Sequence, residues 1–229
     1  MGADAVKRRN LHSSIVQYLK KPRIKSIRFD EDEQSFVCSN GKRRGLLSGL
    51  RYRFYPTYQR KARPKNAKWR ARKASSTEQG LAIGEGLTDY LRTGQIPQDG
   101  MAAALVHYFE KTLHHSIQAT ELPAFVQLGP NDERITRADV ITADDKNRLW
   151  MWEIKSGYNR VQKQGDLKGL RGIPNKEKTH WELQRHFTHK GLVECGLDLY
   201  KSHVLNIFVE NDQYGVEKRS VPKWCNTRL

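Results

Sequence analysis

Residues 137–157 read RADVITADDKNRLWMWEIKSG, and this stretch decides the reading of the whole chain. Two runs rich in β-branched and aromatic residues, RITRADVITA at 134–143 and RLWMWEIK at 148–155, enclose DDKN, a turn composition. Both runs are predicted strands, and so short a connection makes them hairpin neighbours. Successive side chains of a strand point to opposite faces. Glu153 and Lys155 therefore share one face and Ile154 takes the other. With the hairpin paired about its turn, Asp139 falls on the same side as both. Two carboxylates and an ammonium then meet at one edge of a sheet. Charges that interrupt a strand as apolar as LWMWEI need partners or a function.

Phosphodiester hydrolysis needs such a group. Hard carboxylate oxygens suit Mg²⁺ or Mn²⁺, which neutralises phosphate charge and acidifies a bound water. Asp139 and Glu153 are the candidate metal ligands, with the backbone carbonyl of Ile154 as a further oxygen. Lys155 lies between carboxylates that favour its charged form, so it is better placed to hold a water or a phosphate than to act as a base. The plainer alternative is a strand-end salt bridge, since an E-x-K triplet occurs by chance about once in a chain of this length.

The rest of the chain frames that hairpin. A helix is expected at 11–20 (LHSSIVQYLK) and two short strands at 25–38. The glycine-, proline- and lysine/arginine-rich run to residue 76 has no sustained period and is expected to be loop-like. Helices are expected at 77–93 and 101–117, and a strand at 121–128 (ELPAFVQL). A polar loop is expected at 156–178, a helix at 179–195, and closing strands at 203–210 and 213–221, with Asn211 and Asp212 near their turn.

The net charge is +16, and residues 1–76 carry all of the excess, with 21 basic and 5 acidic residues. That asymmetry calls for a polyanionic partner. No apolar stretch is long enough to span a bilayer, and MGADAVKRRN lacks the apolar core of a secretory signal. Three widely spaced cysteines, Cys38, Cys195 and Cys225, with no C-x-x-C, argue against zinc ribbons and iron–sulfur clusters. The expectation is an intracellular, soluble protein, cytoplasmic or nuclear.

Residues 77–220 resemble the PD-(D/E)XK nuclease superfamily, in its RecB-like and Cas4-like exonuclease branch without the iron–sulfur cysteines. The motifs come in the family's order. A glycine-rich helix (EQGLAIGEGLTDYL) is followed by Asp139 in TRADVI, then by Glu153-Ile154-Lys155-Ser156-Gly157, then by Gln184 in HWELQRHF. The resemblance implies a restriction-endonuclease-like α/β fold, a mixed sheet flanked by helices. It also implies Mg²⁺ (or Mn²⁺) dependence and cleavage of DNA. By that resemblance Asp139 and Glu153 ligate the metal, Lys155 acts on the water or transition state, and Gln184 supports the site or contacts the DNA backbone. The sequence departs from the branch in two places. Gly84 stands where a metal-binding histidine is often found, and Thr188 where a tyrosine often follows the glutamine. Glu85, next to Gly84, could serve in the histidine's place, but it lies nearly opposite the Ile83/Leu87/Tyr90 face, which favours a solvated reading.

The expected organisation is a basic N-terminal extension, 1–76, before a nuclease domain, 77–229. Within residues 42–73, lysines and arginines mix with Tyr52, Phe54, Tyr55, Tyr58 and Trp69, a composition that binds phosphates and stacks on bases. Two other readings stay open: an import signal at Lys7-Arg8-Arg9 or Lys42-Arg43-Arg44, or a small core packed on the domain. The functional expectation is a metal-dependent DNA nuclease, an exonuclease in DNA processing or repair. Its rival is a non-catalytic nucleic-acid-binding or packaging accessory on a nuclease-like fold.

Overall fold

Helix α1 (Ser13–Lys20) starts where the His12 side chain accepts from the Ser14 N–H and stops just before Pro22. Its Ile15 and Tyr18 are wholly buried, and the Tyr18 hydroxyl donates to the Pro123 carbonyl at 2.6 Å. The computed structural model describes residues 11–30, 35–39, 41–54, 67–98, 100–156, 162–167, 170–210 and 213–219. Lys7, Arg8, Arg9, Tyr55, Tyr58, Gly157, Asn211, Asp212 and Cys225 lie outside the described residues, as does the side chain of Trp69.

After α1 come the single turn α2 (Pro22–Lys25) and a small antiparallel sheet of β1 (Arg28–Asp30), β2 (Ser35–Cys38) and β3 (Gly41–Arg43). Helix α3 (Leu46–Arg53) follows, then the long α4 (Ala67–Thr93). Helix α4 ends at Gly94, whose φ of 74° gives the left-handed stop that glycine adopts without a Cβ penalty. Helix α5 (Gly100–His107) runs into one π turn, Tyr108–Thr112.

The main sheet contains β4 (Ser116–Gly129), β5 (Asp132–Ala143), β6 (Leu149–Ser156), β9 (Lys201–Glu210) and β10 (Gln213–Lys218), in the order β10-β9-β6-β5-β4. All neighbours are antiparallel except β6 and β9. A parallel pair needs a crossover. The chain makes it through the hairpin β7 (Gln162–Leu167) and β8 (Leu170–Lys176) and then helix α6 (Glu177–Glu194).

Helices cover both faces of the sheet. Leu149, Met151, Ile141 and Ala143 pack with Ile15 and Tyr18 of α1 and Leu192 of α6. Trp152 and Val140 pack on the other side with Leu87 and Tyr90 of α4 and Leu105 of α5. A third cluster joins Leu46, Leu50 and Phe54 to Val126 and to Leu183 and Phe187 of α6. The fold is α/β, a mixed five-stranded sheet flanked by helices.

Four expectations change. The run expected to be loop-like contains α3 and the start of α4, because Leu46, Leu50 and Phe54 recur at helical spacing and find an apolar seat that composition does not reveal. The expected 101–117 helix ends at the π turn, and Ser116 already belongs to β4. The 121–128 strand extends at both ends to Ser116–Gly129. The 156–178 loop contains the β7–β8 hairpin, with Leu167 and Ile173 buried in the third cluster. Residues 11–54 share core clusters with the main sheet. Among the described residues no helix is long and apolar enough to cross a membrane.

Candidate active site

The β5–β6 turn sets the site's register. Asp144 Oδ1 accepts from the N–H groups of Lys146 and Arg148, Oδ2 accepts from Trp150 Nε1, and Asn147 takes the left-handed conformation at φ 60°. From that clamp the ladder pairs Ala143 with Leu149 and runs to Val140 with Trp152. Asp139 and Glu153 stand one residue beyond that last pair, close enough for the Asp139 charge to act on Glu153. The Ile154 N–H donates to Asp139 Oδ2 at 2.6 Å, holding the carboxylate toward β6. The Ile154 side chain turns away into the Trp152 cluster.

Glu153 is 0 % exposed. Lys155 Nζ donates to its Oε1 at 2.6 Å and to Gln184 Oε1 at 3.1 Å. Gln184 is aimed by the docking of α6. Arg185 pairs with Glu182 at 2.7 Å and donates to Ser202 on β9, and the Thr188 and Thr136 hydroxyls lie 2.7 Å apart. Further along, a Cβ at Gly191 would stand 2.7 Å from the Phe125 carbonyl oxygen, so only glycine lets the helix lie this close to β4. All four expected side chains, Asp139, Glu153, Lys155 and Gln184, thus meet on one face. Glu85 is exposed, and a Cβ at Gly84 would meet nothing within 4 Å.

The electrostatics are those of acids withdrawn from water. Burial first, and the Asp139 charge second, push Glu153 well above the ordinary carboxylate range against the pull of Lys155. Burial also raises Asp139, opposed by Lys155 and the Ile154 N–H. Burial works against the Lys155 ammonium, but the Glu153 and Asp139 charges outweigh it and hold the pKa above its usual value. Glu153 Oε2 finds no hydrogen-bond donor among the described residues. An unpaired oxygen on a buried carboxyl is costly, and a cation beside it would relieve that cost.

As the side chains stand, no three His, Cys, Asp or Glu residues among those described converge on one metal position. The donor set nevertheless suits a hard cation: two carboxyls close enough for the charge of one to act on the other, one of them with an orphaned oxygen.

Sequence reasoning passed over Glu121. It lies on β4 with φ 50°, a left-handed conformation that costs a non-glycine residue about 1–3 kcal/mol. Its carboxylate pairs with Arg137 at 3.0 Å. Burial raises its pKa, and the charges of Arg137, Asp139 and Lys155 all act on it. No pattern in ELPAFVQL marks it, because its importance comes from strand register.

No family model matches the chain. No protein of curated function matches it in sequence. Among solved structures, the crystal structure of SSO0001 is similar at 14% identity and a TM-score of 0.33, over 72% of this chain and 60% of that one. The chain therefore spans less than two thirds of that structure's length.

Proposed function

We propose that this chain is a metal-dependent deoxyribonuclease of the PD-(D/E)XK type, on a restriction-endonuclease-like sheet, with DNA as its substrate and Mg²⁺ (or Mn²⁺) as its cofactor. The observation that carries the reading is the Glu153–Lys155–Gln184 chain of hydrogen bonds beside Asp139, ending in a buried carboxylate oxygen with no donor. Asp139, Glu153 and the Ile154 carbonyl would hold the cation, which supplies a Lewis acid to the phosphate and acidifies a water. Lys155 stays charged between the two acids and orients that water or stabilises charge building on the phosphoryl oxygens. Gln184 restrains the Lys155 ammonium to one direction. The basic residues of the N-terminal third, among them Lys42, Arg43, Arg44 and Arg51, supply phosphate contacts. Exonucleolytic action in DNA processing or repair is the role the motif order favours.

The test is digestion of end-labelled linear and of closed circular DNA with Mg²⁺, Mn²⁺ or EDTA. Metal-dependent release of nucleotides from the linear substrate alone supports an exonuclease, and nicking of the circle an endonuclease. DNA binding with no cleavage under any metal would leave the accessory-protein reading in its place.

A further inference from the structure

The β4–β5 ladder pairs Thr120 with Val140 and Leu122 with Ala138, with no register shift between those steps. Glu121 and Asp139 stand between those two pairs, and Asp139 and Glu153 stand one residue beyond the last β5–β6 pair, Val140 with Trp152. Three acidic residues thus lie at one level of three adjacent strands, which are spaced ~4.8 Å apart. Like charges so close on a sheet are unfavourable, and Arg137 and Lys155 offset them here.

The geometry points to Glu121 as a third acidic ligand of the metal site, on the Asp139 side away from Glu153; this rests on the nuclease reading above. An acidic row alone would mean little. The independent observation is Glu153 Oε2, buried beside Asp139 and without a donor among the described residues, an oxygen that a cation would satisfy. Thr88 and Thr120 hydroxyl oxygens lie 3.1 Å apart, fixing α4 beside the residue before Glu121. One turn back along α4 stands Gly84, with no side chain and open space around it, and Glu85 faces solvent. Glu121 rests on Arg137, whose guanidinium lies 4.9 Å from the Phe29 ring centroid. The Glu121 side chain is 40% exposed, which leaves it room to exchange that partner for a cation.

The experiment is calorimetric titration of the full-length protein with Mn²⁺ alone, without DNA, for wild type, Glu121→Gln and Arg137→Gln. Glu121→Gln keeps the side chain's size and is expected to weaken Mn²⁺ binding at least about tenfold, the loss that even an outer partner of a metal ligand produces. Arg137→Gln is expected to leave binding equal or tighter, because a cation near the site is gone. Unchanged affinity in Glu121→Gln overturns the assignment while the nuclease reading stands. Equal weakening in both variants also overturns it, since Glu121 would then act only by holding Arg137. A wild-type protein that takes up no Mn²⁺ brings down both readings.

Discussion

Asp139 Oδ2 lies 2.6 Å from the backbone nitrogen of Ile154, a contact between neighbouring strands that fixes one carboxylate of the candidate site against the segment carrying the other. Side-chain-to-backbone anchoring of this kind orients the acid without using a second charged group. It leaves Lys155 free to bond Glu153 and Gln184. The site is therefore preorganised by the hairpin and by α6 together, and its parts can be separated by substitution.

Asp139→Asn and Glu153→Gln are expected to abolish metal-dependent cleavage while leaving the circular dichroism spectrum unchanged. Lys155→Ala is expected to lower turnover about a hundredfold or more, the scale for one lost transition-state partner, with Mn²⁺ binding retained. Full cleavage by both carboxylate variants would remove the hairpin from the active site.

The raised pKa of Glu153 has a sign that thermal melts can read. Its folded value lies above its unfolded value, so the native state binds the extra proton and stability falls as pH rises between the two. In EDTA, Glu153→Gln is expected to melt higher than wild type above the ordinary carboxylate range, with the gap widening toward the raised value. A gap that shrinks with rising pH would mean that the Lys155 pairing outweighs burial.

The acid limb belongs to histidine. Burial holds His186, His189 and His203 down to about 4, and each has a ring nitrogen without a partner among the described residues. Their folded values lie below the unfolded one of about 6.5, so the unfolded chain binds more protons in that window. Their contribution to stability should be complete above about 6.5 and decline as pH falls toward 4. Replacing His203 by Gln is expected to flatten the decline; an identical pH profile would exclude it as a contributor.

Two helical glycines should respond oppositely to alanine. Gly191→Ala drives a Cβ against the Phe125 carbonyl oxygen, backbone that cannot swing aside, and should destabilise by about 1–3 kcal/mol. Gly84→Ala meets open space within α4 and should stabilise by up to about 1 kcal/mol through helix propensity. Urea denaturation of the two variants checks both signs.

Removing residues 1–66 takes away Ile15, Tyr18, Ile24, Phe36, Leu46 and Leu50, all buried against the sheet or α6. The truncated chain is expected to be insoluble or to melt without cooperativity. Tyr18→Phe offers a milder probe: it leaves the Pro123 carbonyl without its donor and should cost about 1 kcal/mol. A soluble, cooperatively folding truncation would make the N-terminal third an appendage after all.

The hairpin around Asp139, Glu153 and Lys155 was determined by the sequence itself, because strand alternation and turn chemistry act over a few residues and leave a readable period. The same holds for the long helix through Leu87 and Tyr90 and for the helix bearing Gln184. What no local pattern contained was Glu121 near Asp139. That placement depends on the register of β4, which shifts between Ile117 and Ala119 and again between Gln127 and Gly129, and is fixed by strand partners outside its own sequence. Nor did composition disclose α3: Leu46 and Leu50, with Phe54 just past its end, sit in a lysine- and arginine-rich run until Val126, Leu183 and Phe187 give them a surface to bury. Local propensity set the elements, and long-range burial and register decided which of their side chains meet.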